Sequence, residues 1–317
     1  MKLHQAPNLP TIELVHRRIQ PYVHRTPVLT NTAINQRMGA ELFFKCENFQ
    51  KVGAFKMRGA ANALLALTEA ERSKGVATHS SGNHAQAVAL SARNHDVPAY
   101  IVMPSNAPAV KRAATEGYGA TIITCEPTLE ARETTLERVV AETGATFIHP
   151  YNNYDVIAGQ ATCAKELIED AGPFDTVIAP VGGGGLMSGT ALTTRALLPK
   201  ARIVGSEPQW ADDAFRSLQS GTMQVNTRVD TIADGLRTNL GTFTFAILQQ
   251  HLDEIITVSE AEIVAAMRLI WERMKIIIEP SCAVPLAALL QQKDRFQKQR
   301  IGLILTGGNV DVTRLPF

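Results

Sequence analysis

Lys56 is the side chain best placed for covalent chemistry. It stands in Gly53-Ala54-Phe55-Lys56-Met57-Arg58-Gly59-Ala60, between an aromatic residue and the small residues that open a helix. An amine held against apolar surface is desolvated, which disfavours its ammonium form and frees a nucleophile for a Schiff base with an aldehyde. A solvated lysine on the first turn of a helix accounts for the same residues. Three further segments bring glycine or small polar residues to strand ends. Gly182-Gly183-Gly184-Gly185-Leu186-Met187-Ser188-Gly189 follows a strand and opens a helix, where converging N–H groups and the helix dipole suit a phosphate. No Gly-Lys-Ser/Thr follows, and the spacing departs from a dinucleotide fingerprint, so neither a Walker-type site nor a nicotinamide oxidoreductase is indicated. Ser80-Ser81-Gly82-Asn83-His84 offers hydroxyls and early-helix N–H groups to a carboxylate, or serves as an ordinary helix cap. Leu305-Thr306-Gly307-Gly308-Asn309 places a hydroxyl within reach of a ring nitrogen and leaves room for a flat ligand; a plain glycine turn is the alternative.

These segments need rigid elements behind them. Ile12, Val15 and Ile19 recur at helical spacing in a first helix from about Thr11, stopping near Pro21. Arg25 to Leu29 is extended, and Glu41-Leu42-Phe43-Phe44-Lys45-Cys46-Glu47 is a short strand leading directly to the lysine segment. From Gly75, four β-rich runs (75–79, 99–104, 120–125 and 145–150) alternate with helices. That alternation predicts a parallel sheet with crossover helices, a smaller domain over 75–152 inserted into a larger one formed by 1–74 and 153–317. The larger one has strands at 176–181, 201–205 and 301–305 with helices between them, again a doubly wound α/β pattern.

Composition sets the outer limits. The chain has 317 residues, 45% hydrophobic and 19% charged, with 31 Lys+Arg against 30 Asp+Glu. A folded enzyme or binding protein with a sizeable core is expected, and the near-zero net charge gives no reason to expect a nucleic-acid or membrane partner. Cys46, Cys125, Cys163 and Cys282 lack paired or zinc-type spacing. No signal-like start or membrane-length apolar run is present, so a reducing cytoplasm is the expected location.

Taken together, Ala54-Phe55-Lys56-Met57-Arg58-Gly59-Ala60, Ser80-Ser81-Gly82-Asn83-His84, Val181-Gly182-Gly183-Gly184-Gly185-Leu186, Glu279-Pro280-Ser281 and Thr306-Gly307-Gly308-Asn309-Val310-Asp311 carry a resemblance over nearly the whole chain. In this order they resemble the serine racemase and serine/threonine dehydratase family, fold type II pyridoxal-phosphate enzymes, nearest the racemase and 3-hydroxyaspartate dehydratase branch. The resemblance implies two doubly wound α/β domains with pyridoxal 5'-phosphate in the cleft between them. It implies that Lys56 forms the Schiff base and moves the Cα proton, that Phe55, Asn83, Gly235, Glu279 and Thr306 surround the ring, and that Gly182, Gly183, Gly184 and Gly185 hold the phosphate. Ser80, Ser81, Asn83 and His84 would bind the substrate carboxylate.

Some positions separate subfamilies. Ser81 matches racemases and 3-hydroxyaspartate dehydratases where typical threonine dehydratases have Ala, and its hydroxyl is a candidate for proton transfer on the second face. Arg132 matches an arginine that would bind a second carboxylate, although a solvated helix charge explains it as well. Glu207, the Ala211 carbonyl and Asp213 match a divalent-cation site whose oxygen ligands suit Mg²⁺, Ca²⁺ or Mn²⁺. Thr306 for Ser, Cys282 beside Ser281, and Tyr151 after His149-Pro150 are departures, the Tyr151 difference weakening any expectation of nucleotide activation. The chain stops soon after Asp311, so no regulatory domain is expected. The implied activity is dehydration of serine, threonine or 3-hydroxyaspartate to a 2-oxo acid and ammonia by a homodimer acting on a free amino acid. Serine racemase is the alternative, and a non-catalytic cofactor-binding protein a second one.

Overall fold

The computed structural model describes residues 2–107 and 109–317. Ten strands form two sheets: β1 Val28–Leu29, β2 Glu41–Cys46, β3 Val76–His79, β4 Ala99–Pro104, β5 Thr121–Cys125, β6 Thr146–Phe147, β7 Thr176–Pro180, β8 Arg202–Pro208, β9 Glu254–Val258 and β10 Arg300–Leu305. Among the described residues, thirteen α-helices connect and cover them. The first seven are α1 Leu9–Ile19, α2 Thr32–Met38, α3 Lys56–Ala66, α4 Glu69–Arg72, α5 Asn83–Arg93, α6 Ala109–Gly117 and α7 Leu129–Thr143. The remainder are α8 Tyr154–Ala171, α9 Gly185–Leu197, α10 Asp213–Ser220, α11 Thr242–His251, α12 Glu260–Met274 and α13 Pro280–Gln291.

The larger sheet has the order β1-β2-β10-β7-β8-β9, and the smaller one β5-β4-β3-β6. Every pairing is parallel except β1 with β2. Parallel strands need crossovers, and helices on both faces bury them, which is why β7 is apolar from Val177 to Pro180 and has all five residues buried. Apolar side chains pack on each face of the larger sheet, around Leu286 and Ile301 on one side and Leu167 and Val177 on the other. The smaller sheet is likewise covered on both faces, by Ala85 and Val88 of α5 and by Leu136 and Val139 of α7.

The expected strands are all present within a few residues of their expected limits. The first helix begins earlier than its apolar spacing indicated, at Leu9, because Asn8 caps it through its side chain and Pro10 sits in its first turn. The edge strand β9 was not anticipated; it completes the larger sheet beside β8.

Candidate active site and its family

Sterics and backbone pairing fix the lysine segment. After β2 the chain turns through Val52 and Gly53, both at positive φ, 57° and 66°. A β-branched residue in that region is strained by about 1–3 kcal/mol. At Gly53 a Cβ would lie 2.8 Å from Asn309 Oδ1, so glycine is required there. The turn is stitched to the end of β10: Phe55 N–H donates to the Thr306 carbonyl at 3.0 Å and Gly308 N–H to the Gly53 carbonyl at 2.9 Å. Glu279 N–H adds a bond to the Gly307 carbonyl at 3.0 Å. Lys56, Thr306 and Glu279 are thereby brought together from three distant parts of the chain.

Beneath Lys56, α3 is anchored by a buried ionic cluster. Arg58, fully buried, donates from Nε and Nη2 to the two oxygens of Glu47, both at 2.8 Å. It donates from Nη1 and Nη2 to the two oxygens of Glu166 at 2.8 and 2.7 Å. Lys45 Nζ lies 2.8 Å from the same Glu166. Bidentate bonds of this kind satisfy buried charges that would otherwise be costly. They fix the helix whose first residue is Lys56.

Lys56 is half-buried. Its Nζ donates to the Pro150 carbonyl at 2.8 Å and stands 5.1 Å from the centroid of the Phe55 ring. Desolvation lowers its pKa from 10.5 to about 8, against the opposing pull of Glu279. Burial, with Asp234 adding repulsion, raises Glu279 to about 7. Asn83 Nδ2 donates to Glu279 Oε1 at 2.9 Å, and Asn83 Oδ1 accepts from Asn309 Nδ2 at 2.9 Å. His84 is buried with Nε2 3.0 Å from the Ile148 carbonyl, and burial plus the Lys56 charge holds it well below the ordinary histidine range.

The glycine loop leaves β7 and enters α9. Among the described residues, no hydrogen bond is donated by the N–H groups of Gly182, Gly183, Gly184, Gly185 or Leu186. The approach is close on every side: a Cβ on Gly183 would lie 2.3 Å from the Tyr151 ring, and one on Gly184 2.7 Å from Thr244. Thr306 is 4% exposed, and its Oγ1 has no hydrogen-bond partner among the described residues. Unpaired buried donors and hydroxyls of this sort await an acceptor. Gly235 is exposed and donates to Ser281 Oγ at 3.0 Å.

Of the remaining predicted residues, Ser80 and Ser81 are half-buried at the C-terminal end of β3. Ser80 Oγ accepts from Gly82 N–H at 3.3 Å, and the Ser81 hydroxyl makes no hydrogen bond among the described residues. Arg132, in the first turn of α7, donates to the Thr128 carbonyl at 3.3 Å, and its charge contributes to the lowered pKa of His79. Glu207 and Asp213 are fully buried. Glu207 accepts from Phe215 N–H at 2.8 Å; Asp213 accepts from Leu240 N–H and from Asn226 Nδ2, each at 2.8 Å. Burial raises both acids, Asp213 to about 6, and Asp213 further raises Glu207. Among the described residues no three His, Cys, Asp or Glu side chains cluster around one point, so a cation here would draw on the Ala211 carbonyl and water as well. Sequence reasoning missed Pro150, whose contribution is a backbone carbonyl, and the Glu47–Arg58–Glu166 cluster, whose members lie far apart in the sequence.

A desolvated lysine, an unpaired N–H loop at a helix start and an unpaired hydroxyl at a strand end define an α/β protein built around an aldehyde cofactor that carries a phosphate. The chain belongs to the pyridoxal-phosphate dependent enzymes, whose family model matches residues 19–307. It is 49% identical over 312 residues to the beta-hydroxyaspartate dehydratase of Paracoccus denitrificans, covering 98% of this chain and 99% of that one. It is 50% identical over 311 residues to the serine racemase of Dictyostelium discoideum, with 97% and 96% covered. The crystal structure of the Dictyostelium discoideum serine racemase superposes with a TM-score of 0.92 at 51% identity, over 96% of this chain and 99% of that chain. The protein is therefore an enzyme of fold type II, with pyridoxal phosphate as its cofactor, and the residues at the site fit that group. Among the described residues no helix is long and apolar enough to cross a membrane.

Proposed function

We propose that the chain is a dehydratase (ammonia-lyase) that removes water from a small 3-hydroxy amino acid, 3-hydroxyaspartate foremost, with serine and threonine as further substrates. The observation that carries this reading is the Lys56 amine, lowered to about 8 and held between the Pro150 carbonyl and the Phe55 ring. The Paracoccus denitrificans relative supports the substrate class. Bound pyridoxal phosphate supplies the electron-withdrawing ring that makes the substrate Cα–H acidic. Lys56 would carry the cofactor and would take the Cα proton. The N–H groups of Gly182, Gly183, Gly184 and Gly185 hold the phosphate, and Asn83, Phe55, Gly235 and Glu279 line the ring. Ser80, Ser81, Asn83 and His84 bind the substrate carboxylate, with Arg132 available to a second one.

Thr306 offers a neutral hydroxyl where a carboxylate would keep a ring nitrogen protonated. Less stabilisation of charge at Cα would favour prompt departure of the Cβ hydroxyl as water, with its proton supplied by an acid at the site, and the released enamine would take up water to give a 2-oxo acid and ammonia. Racemisation of serine is the second reading, supported by Ser81, whose hydroxyl is unengaged, and by the Dictyostelium discoideum relative. The same proposal includes a division into 1–74 with 153–317 and 75–152, a divalent cation at Glu207, Ala211 and Asp213, a homodimer, and a cytoplasmic location. The test is a panel of L- and D-hydroxy amino acids scored for keto acid and for the opposite enantiomer. Racemisation outpacing elimination on every substrate would replace the dehydratase reading, and Lys56→Ala should abolish both reactions.

A further inference from the structure

The turn from His149 to Asn153, between β6 and α8, touches parts of the site that no sequence motif connects. The Pro150 carbonyl holds Lys56 Nζ, and the Tyr151 ring lies against Gly183. Asn152 Oδ1 accepts from Phe243 N–H at 2.8 Å in the first turn of α11, and Asn153 Oδ1 caps α8 through Val156 N–H at 3.0 Å. His149 is folded inside this turn. Its Nδ1 accepts the backbone N–H of Asn152 at 2.9 Å and that of Tyr151 at 3.3 Å.

Those two bonds decide the tautomer. A nitrogen that accepts two N–H groups carries no proton, so the imidazole proton is on Nε2. Protonating Nδ1 would forfeit both bonds, and burial with the neighbouring His79 and Lys56 pushes the pKa down to about 4. His149 is therefore a fixed, neutral N–H donor and is not equipped to shuttle protons. The ring is half-buried, and its Nε2 has no hydrogen-bond partner among the described residues.

The surroundings indicate what the donor meets. Aromatic contacts run from His149 to Phe147 at 5.4 Å and on to His79 at 5.7 Å, and the Arg132 charge acts on His79. The charged groups that bear on His149 and His79 are Lys56 and Arg132, whereas Asp213 and Glu133 act on Tyr151, whose ring lies 4.6 Å from that of His149. A strip of donors leads from Lys56 through His149 and His79 toward Arg132 of α7, with a cation at each end, and it suits an anion. We propose that His149 Nε2–H is a specificity-determining donor to the distal carboxylate of a dicarboxylic hydroxy amino acid. The substrate named here rests on the dehydratase reading; the recognition of a second carboxylate does not.

The two ring nitrogens can be tested separately. His149→Asn keeps an acceptor for the two backbone N–H groups and removes the outer donor, whereas His149→Gln places an N–H near the Nε2 position and gives up the inner acceptor. The ratio of kcat/KM for 3-hydroxyaspartate over serine should fall roughly 10- to 100-fold in His149→Asn, the scale of a hydrogen bond to a charged group. It should return most of the way in His149→Gln. An unchanged ratio in His149→Asn, or equal losses on both substrates, overturns the proposal. If the unaltered enzyme dehydrates neither amino acid, the dehydratase reading fails by itself. The His149 proposal is then read by titrating the holoenzyme with succinate and with butyrate while following the cofactor absorbance. Tighter binding of succinate that disappears in His149→Asn supports it; no preference for succinate, or a preference that survives the substitution, overturns it.

Discussion

The desolvated state of Lys56 can be measured without turnover. An ordinary lysine near 10.5 presents about 0.03% free amine at pH 7, whereas one near 8 presents about 9%, a gain of roughly 300-fold. Cofactor-free protein exposed to a limiting dose of an amine-arylating reagent should therefore be modified first at Lys56. The rate, read from the Lys56 peptide by mass spectrometry, should climb about tenfold per pH unit to near pH 8 and then level off. The Pro150 carbonyl accepts from the amine in either protonation state, so it does not by itself set the midpoint. Glu279 does contribute, because its charge opposes the lowering; Glu279→Gln should shift the levelling to lower pH. A Lys56 rate still rising at pH 10, alongside the exposed lysines, would refute the argument that desolvation activates this amine.

Other consequences are open to simple assays. Glu279 is 3% exposed and its pKa rises from 4.5 to about 7, so between those values the cofactor-free folded chain holds more protons than the unfolded one, and its stability falls as pH rises. The full difference is roughly 3 kcal/mol; Glu279→Gln should flatten the decline in Tm between pH 5 and 7, and an unaltered slope would count against the assignment. Gly183→Ala drives a methyl to within 2.3 Å of the Tyr151 ring and should cost about 1–3 kcal/mol, together with weaker cofactor binding in an absorbance titration. At a hundredfold excess over its Kd, Mg²⁺, Ca²⁺ or Mn²⁺ should add about 2.7 kcal/mol of stability, seen as a Tm rise reversed by chelator and absent in Asp213→Asn.

The family was legible where its motifs are written in consecutive residues. Lys56, Asn83 and the four glycines from Gly182 to Gly185 each sit at a strand-to-helix junction, so local sequence reports both the element and the exposed group. The strand pattern was legible for the same reason, since β7 from Val177 and β10 from Ile301 run on without a charged residue. β9 was not, because Glu254-Ile255-Ile256-Thr257-Val258 is a short edge strand that only its pairing with β8 distinguishes from loop. The ionic role of Arg58 was not legible, because its two acidic partners are 11 and 108 residues away, a separation that no periodicity spans. The role of Pro150 belongs to a carbonyl that every residue possesses, and the tautomer of His149 is set by backbone N–H groups. Side-chain identity carries no trace of either.

Asn83 has both ends of its amide engaged within the chain, one by Glu279 and the other by Asn309. The three side chains therefore act as one unit drawn from three distant stretches of sequence. Cutting either bond frees an amide end and lets the side chain turn, so Asn309→Ala should be felt at Asn83 although Asn309 lies 226 residues away.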